Sequence, residues 1–192
     1  MDVTITFDSY QTAAFRTAKR FEHKAGDLNH ACLGIVTEWF EFKFASDDAN
    51  RLEEAADLMW YVALAATTLE IKLSELTSTN YVNTFQIASM KGVEVGFDMS
   101  APVERAIGAF STAVKRIAIY DKPLDQPMVR GLMESLGEIV LGLSRLCEKN
   151  ELVLVQGLRE NIAKLRKRFP EKYSNEAAEA RADKGGLDAT QS

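Results

Sequence analysis

Two pairs of acidic residues set into apolar sequence constrain this chain more than any other feature. The first pair is Glu38 and Glu41, and the second is Glu54 and Asp57. Each pair is spaced i and i+3, which places both acids on one face of an α-helix with their β-carbons about 5–6 Å apart. Apolar residues flank both pairs so densely that the helices are expected to be buried. The fold must therefore shelter four carboxylates together.

Carboxylates grouped in an apolar setting need a positive partner, because burial and mutual repulsion both disfavour their charged forms. The nearest bases in sequence, Lys43 and Arg51, lie toward helix ends and off the acidic stripe. A hard divalent cation is the predicted partner of the four acids, with Mg²⁺ first and Mn²⁺ as a substitute. Zinc favours His or Cys ligands, and neither His23 nor His30 stands three residues after a Glu as in di-iron bundles.

Composition excludes several classes of protein. The chain has 192 residues, of which 46% are hydrophobic, and a net charge of −5, which disfavours a nucleic-acid partner. The longest apolar run, Leu58 to Ala66, is about half the length of a membrane-spanning helix, and the N-terminus lacks a signal-peptide pattern. Cys32 and Cys147 lie in apolar helical patterns and are expected to be buried free thiols. We expect a cytoplasmic protein with no membrane contact.

The hydrophobic pattern predicts an all-α fold, an antiparallel helical bundle. Four prolines in the whole chain leave room for long helices, and strand-like alternation is weak and confined to residues 3–7. Capping residues and prolines place the helix ends. The predicted helices cover residues 8–24, 27–44, 48–76, 102–120, 128–149 and 152–168.

The segments are expected to form one domain over residues 1–183, followed by a disordered tail, 184–192. Within it, 8–76 form a metal-binding hairpin, 102–149 a second hairpin and 152–183 a closing helix and segment, with a connector over 77–101. When residues 52–59 are aligned with 133–140, their apolar positions coincide. In the same alignment, Lys115 and Ala118 correspond to Glu38 and Glu41. The second hairpin is either a degenerate internal duplication or a chance match between amphipathic hairpins.

The acidic motifs resemble those of the MazG-like all-α nucleoside triphosphate pyrophosphohydrolases, in which Glu-x-x-Glu is followed by Glu-x-x-Asp after a short spacer. Tyr10-Gln11 and Arg16-Thr17-Ala18 are similar to the opening helix of that family, and residues 161–170 to its closing Asn-x-x-Lys-Leu-x-x-Arg-Tyr-Pro segment. The closing segment looks most like that of relatives from phages and bacteria. Two departures stand out. Trp39 and Phe40 replace small residues of the family motif, and residues 77–150 are an addition to its single-hairpin form.

The resemblance implies hydrolysis of a ribo- or, preferentially, deoxyribonucleoside triphosphate to the monophosphate and pyrophosphate. It implies metal-binding and catalytic roles for Glu38, Glu41, Glu54 and Asp57, a catalytic role for Lys164, and substrate contacts from Asn161, Lys164 and Arg168. Phe40, Trp60 and Tyr61 could also stack on the base, but Trp39 is the candidate because it lies between two metal ligands in sequence. Glu38 or Glu53 is the candidate for accepting a proton from the attacking water. A phosphoribosyl-ATP pyrophosphatase stays open within the same reaction class.

Members of this superfamily typically build a four-helix unit from two subunits, so the resemblance implies a homo-oligomer, with a dimer expected. The second hairpin could instead supply within one chain what a partner supplies elsewhere. A different class of function is also open, namely a non-catalytic helical regulatory or binding protein that retains a structural cation site. The basic set Asn161, Lys164 and Arg168 favours the enzyme, because a purely structural metal site has no need of it.

Overall fold

The computed structural model describes residues 5–77 and 100–181, and within them it shows seven α-helices and no strand. The prediction of an all-α protein is confirmed at this level. The elements are α1 (Phe7–Phe15), α2 (Lys24–Lys43), α3 (Asp48–Thr68), a 3-10 helix (Leu73–Thr77), α4 (Ser100–Ala118), α5 (Gln126–Lys149), α6 (Leu154–Arg168) and α7 (Asn175–Ala180).

Side-chain caps explain where several helices begin. The Thr6 hydroxyl accepts a hydrogen bond from the Ser9 N–H, and the Ser9 hydroxyl accepts one from the Thr6 N–H, which forms a capping box for α1. The Asp47 carboxylate accepts from the Asn50 N–H at 2.8 Å at the start of α3. Asp125 does the same for α5. Capping by Asp47 fixes the start of the helix that carries the second acidic pair.

Two predicted helices are longer than the observed ones. The prediction of a first helix to about residue 24 is wrong, because the chain leaves α1 after Phe15 and folds back onto the buried carboxylate of Asp27. That carboxylate accepts hydrogen bonds from the Arg20 side chain and from the Phe21 N–H. The third helix ends at Thr68 instead of about 76, since Glu70 takes a left-handed conformation with φ of 62°.

Other predictions differ in smaller ways or fall outside the structure. Helix α7 was not predicted, and the Ser174 hydroxyl caps it by accepting from the Ala177 N–H. Most of the predicted connector, residues 78–99, lies outside the described residues. The predicted tail, 184–192, and the first residues of the weak strand pattern also lie outside them.

Helix α3 is the centre of the bundle. It forms a hairpin with α2, and the hairpin of α4 and α5 packs alongside, with α2 against α4 and α3 against α5. Helices α1 and α6 cover another side of α3. The middle of α3 is accordingly apolar and buried from Val62 to Ala66. The two-hairpin packing is compatible with an internal duplication, which stays a prediction.

Gly34 on α2 lies directly against the ring of Tyr61 on α3. A β-carbon on Gly34 would lie 2.2 Å from ring atoms of Tyr61, which no real side chain tolerates. Gly34 precedes Glu38 by one helical turn, and Tyr61 follows Asp57 by one turn. The absent side chain therefore lets the two acid-bearing helices approach each other beside their acidic residues.

We expect Gly34→Ala to lower the free energy of unfolding by about 1–3 kcal/mol, because the new methyl group must displace the Tyr61 ring. The matched control is Gly108→Ala on α4, where a β-carbon meets no atom within 4 Å. That control should raise the free energy of unfolding by roughly 0.5–1 kcal/mol through helix propensity. Urea denaturation followed by circular dichroism measures both. Equal effects of the two substitutions would contradict the close approach.

Candidate functional site

A cleft of about 480 Å³ opens where α2, α3, α6 and the segment after α6 meet. Acidic and basic side chains face each other across it. Its acidic residues are Glu38, Glu41, Glu53, Glu54 and Asp57, and its basic residues are Lys19, Lys164, Arg168 and Arg181. The structure thus brings both predicted acidic pairs and two of the predicted phosphate-binding residues to one cavity.

Three of the four predicted metal ligands converge. One carboxylate oxygen each from Glu38, Glu41 and Glu54 lies within 4.8 Å of the others. In residues 5–77 and 100–181, no other set of three or more acidic, histidine or cysteine side chains is arranged closely enough to hold one ion. The Asn50 amide donates to Glu54 at 2.7 Å and orients it. An all-carboxylate donor set fits Mg²⁺ or Mn²⁺.

The electrostatics of this cluster indicate concentrated negative charge. Burial, followed by the charges of Asp57, Glu41 and Glu54, raises the pKa of Glu38 to about 8. Burial, followed by the charges of Asp57 and Glu41, also raises the pKa of Glu54. The Glu54 carboxylate accepts a hydrogen bond from the Glu38 carboxyl group. Near neutral pH the cluster therefore holds a proton that a divalent cation would displace.

Asp57, the fourth predicted ligand, is bonded to a lysine instead of joining the cluster of three. The Lys164 ammonium donates to both Asp57 oxygens, at 2.6 and 2.8 Å, and to Glu53 at 3.0 Å. Burial acts to lower the pKa of Lys164, but the charges and hydrogen bonds of Asp57 and Glu53 together raise it. Asp57 remains near the cluster, since its charge is the second cause of the raised pKa of Glu38.

Asn161 contacts protein groups instead of facing open space where a phosphate could bind. It is 3% exposed, and its amide nitrogen donates to Asp57. Its Oδ1 lies 3.0 Å from the hydroxyl of Tyr10, which is itself 3.0 Å from the Ala56 carbonyl oxygen. An amide that is buried and bonded at both ends does not fit the predicted contact with phosphate. Asn161 holds the Asp57 carboxylate in place.

The predicted base-stacking role of Trp39 does not fit its location. Trp39 is 2% exposed and stacks on Phe42 in the core, with ring centroids 5.8 Å apart. Adjacent helical residues are rotated by about 100°, so Trp39 turns away from the face that carries Glu38. A side chain enclosed by the core offers no surface to a ligand.

The sequence favours Trp39 over Trp60 and Tyr61 for stacking, but it is Trp60 and Tyr61 that line the cleft. The aromatic side chains of the cleft are His30, Trp60, Tyr61, Phe169 and Tyr173. Edge-to-face contacts join the first three, and the Trp60 indole N–H donates to Thr17 at 3.0 Å. Spacing could have identified two of them, because Trp60 and Tyr61 follow Asp57 by three and four residues and share its helix face.

Arg168 faces the cleft as the sequence predicts. Its guanidinium donates to the carbonyl of Ala178, and its charge acts to lower the pKa of Tyr61, which burial raises to about 12. The segment that follows is tied to the opening of the chain, because Arg16 donates to the carbonyls of Phe169 and Pro170. The two segments that resemble the ends of the MazG-like motif set therefore meet.

The acids line a cleft instead of occupying a closed interior, which corrects the expectation of two fully buried helices. Glu38 and Glu54 are partly buried, whereas Glu41 is exposed. Phe40 on α2 and Phe44 directly after it are 50% and 75% exposed and lie beside Glu41 and Glu54. The site is therefore open to a ligand from solvent.

Comparisons with protein-family models, with curated proteins and with solved structures give no match to this chain. The class of protein therefore depends on the geometry of the site, and the MazG-like resemblance, the homodimer and the cytoplasmic location stay predictions. In the described part of the chain, no helix combines the length and apolar character needed to cross a membrane.

We expect the metal-free protein to lose stability as the pH rises from about 5 to about 8. Over this range the folded state keeps a proton on Glu38 that the unfolded state has released, because the pKa of Glu38 rises from 4.5 to about 8 on folding. Unfolding then releases a proton and is favoured by increasing pH. Urea denaturation in the presence of a chelator measures the effect.

Glu38→Gln should make the free energy of unfolding less dependent on pH over the same range, since the amide does not titrate. The control Glu134→Gln, which changes an exposed acid on α5, should retain the part of the dependence that is due to Glu38. An unchanged pH dependence in Glu38→Gln would contradict the assignment.

Proposed function

We propose that this protein is a Mg²⁺-dependent nucleoside triphosphate pyrophosphohydrolase of the MazG-like type, with deoxynucleoside triphosphates as the preferred substrates. One observation carries the proposal. Three carboxylate oxygens from α2 and α3 lie within 4.8 Å of one another in a cleft that also contains Lys164 and Arg168. A cation site and basic side chains in one cavity are what recognition of a magnesium-bound triphosphate requires.

The size and lining of the cleft support a nucleotide as the ligand. About 480 Å³ lies within the range of small-molecule sites. The aromatic set of His30, Trp60 and Tyr61 offers apolar surface for a base, while the charged residues face the phosphates. We place the base at the aromatic end and the triphosphate over the acids. Trp60 and Tyr61 take the stacking role that the sequence assigned to Trp39.

The side chains divide the chemistry among them. Glu38, Glu41 and Glu54 would hold Mg²⁺, which when bound neutralises phosphate charge and makes a coordinated water more acidic. Lys164 and Arg168 bind phosphate oxygens, Arg168 through its forked donor and Lys164 as a mobile point charge. Water attacks the α-phosphorus, the bond to the bridging oxygen breaks, and pyrophosphate leaves.

A carboxylate accepts the proton of the attacking water. Glu53 is a candidate because it lines the cleft outside the cluster of three acids and is 45% exposed. Glu38 is the other candidate, because it lines the same cleft and could accept a proton through an oxygen that the cation does not engage. Glu53→Gln at saturating Mg²⁺ separates the two, since it abolishes pyrophosphate release only if Glu53 is the acceptor.

A second function has one observation in its favour. Asp57 is already neutralised by Lys164 and held by Asn161, as expected if the site holds a structural cation without turnover. A regulatory protein of this kind would bind Mg²⁺ but release no pyrophosphate from any of the eight common ribo- and deoxyribonucleoside triphosphates. That screen distinguishes the two functions.

We expect Glu41→Gln to lower Mg²⁺-dependent pyrophosphate release by about 100-fold or more, because one of three convergent ligands loses its charge. Glu41 is exposed, so the variant should fold normally. A coupled phosphate assay after pyrophosphatase treatment measures the rate, and circular dichroism checks the fold.

The matched control is again Glu134→Gln, which changes an exposed acid on the second hairpin and should keep the parental rate. Parental activity in Glu41→Gln would refute its place in the site. Absence of activity in the parent with all eight nucleotides would refute the proposed hydrolase.

A further inference from the structure

The acids of the cleft fall into two groups that differ in what neutralises them. Glu38, Glu41 and Glu54 converge, with one oxygen of each within 4.8 Å of the others, and form the candidate site for a divalent cation. Asp57 and Glu53 instead contact the ammonium group of Lys164. The second group therefore has a cation supplied by the protein itself.

Lys164 is held firmly at Asp57. Its ammonium is 2.6 Å from one Asp57 oxygen and 2.8 Å from the other, and it also contacts Glu53 at 3.0 Å. The side chains of Lys164 and Asp57 are 22% and 26% exposed, so water screens this pair less than a surface ion pair. The lysine occupies both oxygens that a metal ion would use.

Asp57 is held in position by a second contact that does not involve the lysine. The buried Asn161 amide donates to Oδ1 of Asp57, and the fully buried Tyr10 hydroxyl fixes the other end of that amide. The carboxylate would therefore keep its orientation if Lys164 moved away. A carboxylate whose orientation does not depend on Lys164 can bind a divalent cation in place of the ammonium group.

We propose that Lys164 neutralises Asp57 in the free protein and thereby prevents a divalent ion from binding to that carboxylate. When a phosphate binds, the ammonium group of Lys164 moves to it and Asp57 becomes available. The inference rests on the proposed function, because the phosphate is that of the substrate. The free chain then takes one divalent cation, at Glu38, Glu41 and Glu54. Asp57 joins in cation binding only when Lys164 leaves.

The physical basis is competition between like charges. An ammonium group and a divalent ion on the same carboxylate repel each other strongly at such short distances. The four-carbon stem of lysine lets its charge move without any change in the backbone. Phosphate binding and cation binding at Asp57 therefore favour each other, and the effect is reciprocal.

The test is a Mn²⁺ titration of the full chain without nucleotide, followed by electron paramagnetic resonance. The wild-type protein should bind one Mn²⁺ tightly. Lys164→Met keeps the apolar stem and removes the charge, and it should bind a second Mn²⁺ about tenfold more tightly, or better, than the wild type does. Lys167→Met, an exposed residue of the same helix, is the control and should match the wild type.

Two further variants make the test decisive. Lys164→Gln, which keeps a donor but no charge, should show the same gain and replaces Lys164→Met if that variant misfolds. The double variant of Lys164→Met and Asp57→Asn should lose the second Mn²⁺ and keep the first. Identical titrations for wild type and both Lys164 variants would overturn the proposal, as would a second Mn²⁺ that survives Asp57→Asn. A wild-type protein that binds no Mn²⁺ would instead contradict the cation site of the proposed function.

Discussion

The close approach of α2 and α3 is the constraint on which the rest of the structure depends. Gly34 has no side chain to separate the helices, so the acids one turn further along α2 lie beside those of α3. Packing against the bundle supports this approach and thereby concentrates negative charge in one cleft. This negative charge is partly neutralised by Lys164 of α6, which pairs with Asp57, and by a proton on Glu38.

Local spacing explains why part of the site could be predicted. Glu38 and Glu41 share a helix face whatever the tertiary fold, and Lys164 and Arg168 likewise share one face of α6. A short turn then suffices to join α2 and α3 in a hairpin, and Asp47 in that turn caps the start of α3. These features depend on residues that are close together in the chain. The all-α class is likewise predicted from the helical spacing of apolar residues.

Contacts between distant residues explain what could not be predicted. Asp57 and Lys164 are separated by more than a hundred residues, so no local pattern reveals that the lysine and not only a metal would neutralise the aspartate. The burial of Asn161 depends on which face of α6 meets α3. The early end of α1 has a more local cause, since the Phe21 N–H donates to the carboxylate of Asp27 only six residues further along the chain. An acid that accepts from a nearby backbone N–H competes with continuation of the helix.

Because protons and Lys164 neutralise the acids of the cleft, folding does not require a bound cation. A site that depended wholly on a metal would leave several buried carboxylates charged and unpaired in its absence, which strongly favours unfolding. Here the acidic cluster retains a proton on Glu38, and Asp57 has Lys164 and Asn161. Both substitutes are exchangeable, since a proton leaves to solvent and a lysine side chain rotates. The fold can therefore form without a metal ion, as the proposed binding and release of a metal-bound ligand requires.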